Sequence, residues 1–329
     1  MVKPQPHSLL SVRPRSLDAL ACPSCLSQLT MSVDPGYEVE DGVLECPKEA
    51  LQYPVKGGVP MLVRPSSSGR VRAFEASYSL AWSRDGWGSA DEEYLFRLPA
   101  KDVTGRHETE WRVKARSMEV LFRVLDRKQL RRVIDLGCGM GWLSHHLALR
   151  GNEVYAVDIL RDDQLGLGAA GRYARRGPFF ERIWGELERP PFRDSCSDAV
   201  ICNASLHYAS DTLAVLREIS RILKPGGLFV LLNSPVHSDA LSAVRARDGF
   251  RRRLQGLGAT DDVVSRYQHF TRDMIAADVQ SLVGPVEDAG FDPGFLFLLG
   301  RRFKGFALRM ELASFPLLYA TKTDSAARS

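Results

Sequence analysis

Long apolar runs are missing from this chain. The most hydrophobic stretch, Phe291 to Gly300, is interrupted by Asp292 and Pro293 and falls far short of the roughly 20 apolar residues that cross a bilayer. The first residues also lack a continuous apolar segment before Cys22, so neither a membrane span nor a secretory leader is expected. Cysteine is scarce. Six in 329 residues are too few for a disulfide framework, and reduced thiols in a cytoplasm are the simplest expectation. Excess charge of either sign is absent as well: 44 Lys and Arg stand against 40 Asp and Glu, for a net charge of +4. That balance neither requires nor excludes nucleic acid, because a local basic patch matters more than the sum. No internal repeat or low-complexity tract is present, which excludes a repeat architecture. What remains, 44% apolar and 26% charged residues, suits a folded chain with one large domain and a smaller one.

Three units are expected along it. Residues 1–65 hold Cys22-Pro-Ser-Cys25 and Cys46-Pro between short β-like pieces, and Pro65 to Gly69 reads as a linker. Residues 66–130 are helical and aromatic-rich, a linker or lid. From residue 131 to 329 short apolar strands alternate with helices: strands at Val133–Leu136, Val154–Val157, Glu181–Trp184, Ala199–Asn203, Leu228–Leu232, Phe295–Leu299 and Leu317–Thr321, with a helical insertion over about 238–282. Such alternation implies an α/β fold, a doubly wound, mostly parallel sheet with helices on both faces, beside a small β-rich domain.

The segment Val133-Ile-Asp-Leu-Gly-Cys-Gly-Met-Gly-Trp-Leu is the strongest signal. A buried strand turns through Gly137, Gly139 and Gly141 into a helix, where the backbone must pass close to a ligand. Asp158 closes the next strand, 21 residues after Gly137, which puts a carboxylate at the carboxyl edge of the sheet, able to accept both hydroxyls of a ribose. A dinucleotide loop would read G-x-G-x-x-G with a small sixth residue. Here the sixth position is the bulky Trp142, and Asp135 interrupts the apolar first strand. Both features disfavour a dehydrogenase.

Asp135-Leu-Gly-Cys-Gly-Met-Gly141 resembles the first motif of class I S-adenosylmethionine-dependent methyltransferases of the type 11-like kind, and Asp158 stands at that family's ribose-binding acid. Three further matches follow in order: Gly185-Glu-Leu-Glu-Arg-Pro-Pro-Phe192, Ser197-Asp-Ala-Val-Ile-Cys-Asn-Ala-Ser-Leu-His-Tyr208, and Leu223-Lys-Pro-Gly-Gly-Leu-Phe229. The resemblance covers about residues 131–323. It implies a seven-stranded Rossmann-like sheet and S-adenosylmethionine as cofactor. The implied cofactor set is Asp135, Gly137, Cys138, Gly139, Gly141, Asp158, Ile159, Glu186, Leu187 and Asn203. Glu186 departs from the family's usual Asp at the position that meets the adenine amine.

A sulfonium methyl is already activated, so the protein's main task is alignment; a general base is needed only where the acceptor must lose a proton. His207, just after the fourth strand, is the candidate base, with lining of the cofactor pocket as its alternative role. Tyr78, Trp82, Trp87 and Tyr94 before the core, and Tyr267, His269 and Phe270 in the insertion, are candidates for a cover over a flat or apolar acceptor. Arg112 could pair with the methionine carboxylate or form a surface ion pair. The basic stretches Arg245–Arg253 and Arg301–Lys304 could meet phosphates or be solvated faces.

Cys22, Cys25 and Cys46 have the spacing of a zinc ribbon with one cysteine missing; Glu49 stands where the fourth would be. Together with Tyr53-Pro-Val-Lys-Gly-Gly-Val-Pro-Met-Leu62, residues 17–64 resemble the small zinc-ribbon activator subunit of tRNA, rRNA and release-factor methyltransferases. That implies a zinc site, or a degenerate ribbon held by packing, fused to the catalytic unit. Three function classes follow: a methyltransferase acting on an O or N acceptor of a small molecule, one acting on RNA or protein, and a non-catalytic nucleoside-binding scaffold. The motifs lie on the core rather than on its variable covers, so they leave the acceptor and the oligomeric state open.

Overall fold

The structure, a computed structural model, describes residues 12–31, 40–294 and 312–323. It opens with an antiparallel sheet of four strands in sequence order, β1 (Thr30–Met31), β2 (Gly42–Cys46), β3 (Leu51–Lys56) and β4 (Val59–Pro60). Helices α1 (Ser68–Arg84), α2 (Glu92–Arg97) and α3 (Glu108–Leu125) follow. The alternating region gives β5 (Arg132–Leu136), α4 (Trp142–Leu149), β6 (Glu153–Asp158), α5 (Leu167–Arg176), β7 (Glu181–Trp184), β8 (Ser197–Asn203), α6 (Thr212–Ile222) and β9 (Leu223–Leu232). The remainder is β10 (Val236–His237), α7 (Ala240–Gly256), α8 (Asp261–Arg266), β11 (Phe270–Thr271), α9 (Arg272–Leu282), β12 (Val286–Asp288) and β13 (Leu318–Thr321).

Seven strands form one sheet in the order β12-β13-β9-β8-β5-β6-β7, parallel except for β13. The fold is therefore the doubly wound, mostly parallel sheet expected from the strand-helix alternation. Apart from the edge strand β12, its strands are largely buried on both faces, so successive side chains enter different cores. Ile134 and Leu136 pack with Tyr155, Val157 and the buried stripe of α6 and α9, whereas Val133 and Ala156 pack with α3, α4 and α5. The strand order reverses between the parallel neighbours β5 and β8, where successive crossovers diverge and open a crevice at the carboxyl ends of the strands.

One local expectation needs correcting, and one strand is new. Pro65 to Gly69 is no loose linker: α1 starts within it, and Ser67 is buried with its hydroxyl donating to Glu186 at 2.6 Å. The sheet also contains a three-residue edge strand, Val286–Asp288, that lacks a clear apolar alternation and went unread in the sequence. The expected strand Phe295–Leu299 lies outside the described residues.

The ribbon is built into the large domain. Leu20, Leu44, Tyr53 and Leu62 share one apolar core with Ile183 and Phe192. The Ala21 and Leu62 amides donate to the carbonyls of Pro191 and Trp184, both at 2.9 Å, and Met61 bridges Trp184 in parallel, covering the β7 edge. Beneath this joint lies Glu181, 3% exposed, accepting from the Ser16 hydroxyl. Burial pushes its carboxyl up to about 7. Between the ordinary value and pH 7 the folded protein therefore holds a proton that the unfolded chain releases, and stability falls as pH rises through that window. We expect the melting temperature of wild type to drop more than that of Glu181→Gln between pH 5 and pH 8.5, by an amount worth roughly 3 kcal/mol. Parallel pH profiles would show the idea wrong. Comparing the two proteins cancels Asp135 and Asp158, whose shifts have the same sign.

Candidate cofactor and acceptor site

The crevice deepens into a cavity of about 360 Å³ between the glycine loop, the carboxyl ends of the sheet and the covering helices. Gly137, at φ 82°, could carry no side chain: a Cβ there would lie 2.3 Å from the Cβ of Ser205. Ser205 itself donates to the Leu136 carbonyl at 2.6 Å, tying the loop after β8 to the end of β5. Gly139, at φ 54°, has only the Leu165 carbonyl within reach of an added Cβ, at 3.5 Å, so its backbone faces open space where a ligand can approach.

Asp158 locks this loop. One carboxylate oxygen accepts the Gly139 N–H at 2.6 Å and the other the Leu160 N–H at 2.8 Å. Burial raises the carboxyl to about 6 against the lowering pull of those amides. Each oxygen keeps a further lone pair for a hydroxyl. Next to it, Glu186 is 6% exposed, accepts from Ser67 and has Arg64 and Arg70 at 3.5 and 3.7 Å.

Cys138, Ile159, Leu187, Asn203 and His207 join Gly137, Gly139, Asp158 and Glu186 in the cavity wall. Asp135 and Gly141 lie behind it. Asp135 is 1% exposed, accepts from Ser144 on α4 at 2.6 Å, and is pushed up to about 7 by burial. Gly141 is the N-cap residue just before α4, where a Cβ would meet Ala170 at 2.7 Å, a packing constraint rather than a ligand contact.

Three elements supply the cover. Tyr78 and Trp82 on α1, Trp87 after it, Trp111 on α3, and Phe250 and Tyr267 from the α7–α8 region all line the cavity. Tyr78 and Tyr267 each meet Tyr208 edge-on at 5.2 Å, an arrangement that aromatic quadrupoles favour. Tyr94 instead packs against Trp111, and His269 pairs with His237 at 2.8 Å, outside the wall. His207 is held by Ser234 at 3.1 Å through Nδ1, and burial pushes its imidazolium down to about 3. Arg112 is on the exposed side of α3, paired with Glu108 at 3.0 Å. Arg251 and Arg253 are engaged too, the first by the carbonyls of Tyr267 and Ser265, the second by Asp85. Arg301–Lys304 lie outside the described residues.

In the ribbon, the sulfurs of Cys22, Cys25 and Cys46 lie within 4.8 Å of one another. The Glu49 carboxylate does not join them; its backbone N–H donates to the Cys46 sulfur at 3.4 Å. The group beside the thiols is instead the Tyr53 hydroxyl, 3.2 Å from the Cys22 sulfur. All six cysteines are free thiols.

A family model described as a methyltransferase domain matches residues 134–231, and one described as a Trm112p-like protein matches residues 13–58. The chain joins a methyltransferase domain to a Trm112p-like domain. Malonyl-[acyl-carrier protein] O-methyltransferase of Erwinia billingiae is 31% identical over 128 residues, 39% of this chain and 48% of that protein. Demethylmenaquinone methyltransferase of Corynebacterium kroppenstedtii is 35% identical over 125 residues, 38% of this chain and 48% of that protein. The chain thus spans about half the length of the curated relatives it matches. A solved structure of Haemonchus contortus phosphoethanolamine N-methyltransferase 2 with S-adenosyl-L-methionine is 16% identical, over 64% of this chain and 53% of that one, with a TM-score of 0.47.

Proposed function

We propose that this protein transfers the methyl group of S-adenosylmethionine to an oxygen or nitrogen of a small molecule in the cytoplasm. The observation that carries this reading is Asp158, a buried carboxylate hydrogen-bonded to the glycine loop in the wall of an aromatic-lined cavity. Asp158 would take the ribose hydroxyls, Glu186 and Leu187 the adenine edge, and Gly137, Cys138, Gly139, Ile159 and Asn203 the surface along which the donor lies. Asp135 and Gly141 would support that surface from behind.

The bound donor would supply an electrophilic methyl carbon, whose bond to sulfur breaks as a bond to the acceptor forms. The chain's contribution is to hold the acceptor in line and to exclude water. His207 faces that end as a neutral imidazole. With its conjugate acid pushed so low it is a weak proton store, and its role is to accept a hydrogen bond from the acceptor's O–H or N–H, whose proton passes on to solvent as the methylated product and S-adenosylhomocysteine leave. A nucleic-acid acceptor is the weaker reading, because Arg251 and Arg253 are already engaged by the protein itself. Titration calorimetry tests the donor reading: S-adenosylmethionine and S-adenosylhomocysteine bind and NAD does not, and heat from NAD alone would overturn it.

We further propose that Cys22, Cys25 and Cys46 hold a structural zinc ion. Three sulfurs this close fit three corners of a tetrahedral site, with the Tyr53 hydroxyl or a water for the fourth. Elemental analysis of protein purified without chelator should give about one zinc per chain, lost in Cys46→Ser; metal-free wild type would show that packing alone holds the ribbon.

A further inference from the structure

Nothing in the sequence marks Lys114, yet its side chain lines the cavity, with Nζ 4.6 Å from the ring centroid of Trp87 and 4.3 Å from that of Trp111. Its ammonium has no hydrogen bond or ion pair among the described residues; its backbone carbonyl is engaged by the Ser117 hydroxyl at 2.9 Å. The other lining cation, Arg266, is held by Asp262 at 3.2 Å and lies over Phe74. Indole faces attract an ammonium but offer it no acceptor lone pair. Burial lowers its proton affinity to about 8, with Glu110 pulling the other way, so the group is charged at neutral pH and gains from an anion placed beside it.

Its position says which anion. One turn before Lys114, Trp111 packs edge-on against Trp142, the first residue of α4, at 5.8 Å. One turn after it, Ser117 accepts from Asn233, which also donates to Asn203 at the end of β8. Lys114 therefore stands between the glycine loop and the ends of β8 and β9. Glu186 follows β7, Asp158 ends β6, and Gly137 follows β5. An adenosyl group laid along this edge from Glu186 to Asp158 directs its amino-acid tail toward Lys114.

We propose that Lys114 is the carboxylate anchor of the cavity, gripping the amino-acid carboxylate of the methyl donor. This assignment rests on the donor reading above and gives the exposed Arg112 no part in it. The test compares S-adenosylhomocysteine with 5′-methylthioadenosine, which keeps the nucleoside and sulfur but lacks the amino acid, on full-length wild type and Lys114→Met. Loss of one charge-assisted contact should weaken S-adenosylhomocysteine about 10- to 100-fold and leave methylthioadenosine within about twofold. Equal loss for both ligands would mean a collapsed wall, and no loss for either would give the lysine to an acidic acceptor; each overturns the assignment alone. Wild type that binds neither compound overturns the donor reading, and this assignment with it.

Discussion

Replacing Asp158 with alanine is expected to weaken S-adenosylmethionine about 100-fold or more in calorimetry, the cost of two hydrogen bonds to an ionised acceptor. The folded protein should lose far less. In the free enzyme the carboxylate is buried and its proton affinity is raised to about 6, so its removal relieves a desolvation penalty while orphaning the Gly139 and Leu160 amides. The two effects oppose each other in stability but not in binding. Asp158→Asn keeps one acceptor for Gly139 and should fall between alanine and wild type. The pH profile supplies a second check. Two ribose hydroxyls need the ionised carboxyl, so affinity should hold above about pH 6.5 and decline below pH 6, approaching tenfold per unit. Undiminished binding by Asp158→Ala would detach the nucleoside from this site altogether.

Much of this site could be read from residue order because the chemistry is local. A strand, a glycine loop, a helix and an acid one strand later occupy 27 consecutive positions from Arg132 to Asp158, and their juxtaposition follows from the right-handed crossover itself. What escaped was long-range. That Ser205 forbids a side chain at Gly137, or that Ser67 reaches Glu186 across 119 residues, depends on tertiary packing. A Pro-Ser-Ser-Ser-Gly run has every mark of a linker until a buried carboxylate recruits one of its hydroxyls. Lys114 was invisible for a related reason: α3 carries three arginines and three glutamates besides its one lysine, and only its docking angle decides which cation turns inward. Arg112 was the more conspicuous basic residue beside Trp111, and it faces solvent. The edge strand Val286–Asp288 escaped because a half-exposed strand of three residues needs no apolar alternation.

The joint between the ribbon and the sheet leads to the second large expected effect. Expressed without residues 1–65, the remaining chain should be poorly soluble or melt far below the full-length protein, and should bind S-adenosylhomocysteine weakly. Removing the segment strips Leu20, Leu44, Tyr53 and Leu62 from a core shared with Ile183 and Phe192. Each fully buried side chain of this size is worth about 1.5–3 kcal/mol. The same cut leaves the β7 edge without the Leu62 amide that covers Trp184, an open invitation to intermolecular pairing. It also removes Arg64 from Glu186, so the damage reaches the adenine end of the cavity. A point variant keeps the test sharp where the truncated protein cannot be purified. Leu20→Ala, at a residue 1% exposed within that shared core, should cost about 2–5 kcal/mol in a single cooperative transition. If the ribbon were an independent bead on the chain, Leu20→Ala would instead split the melting curve in two, leaving the large domain's transition and its ligand affinity untouched.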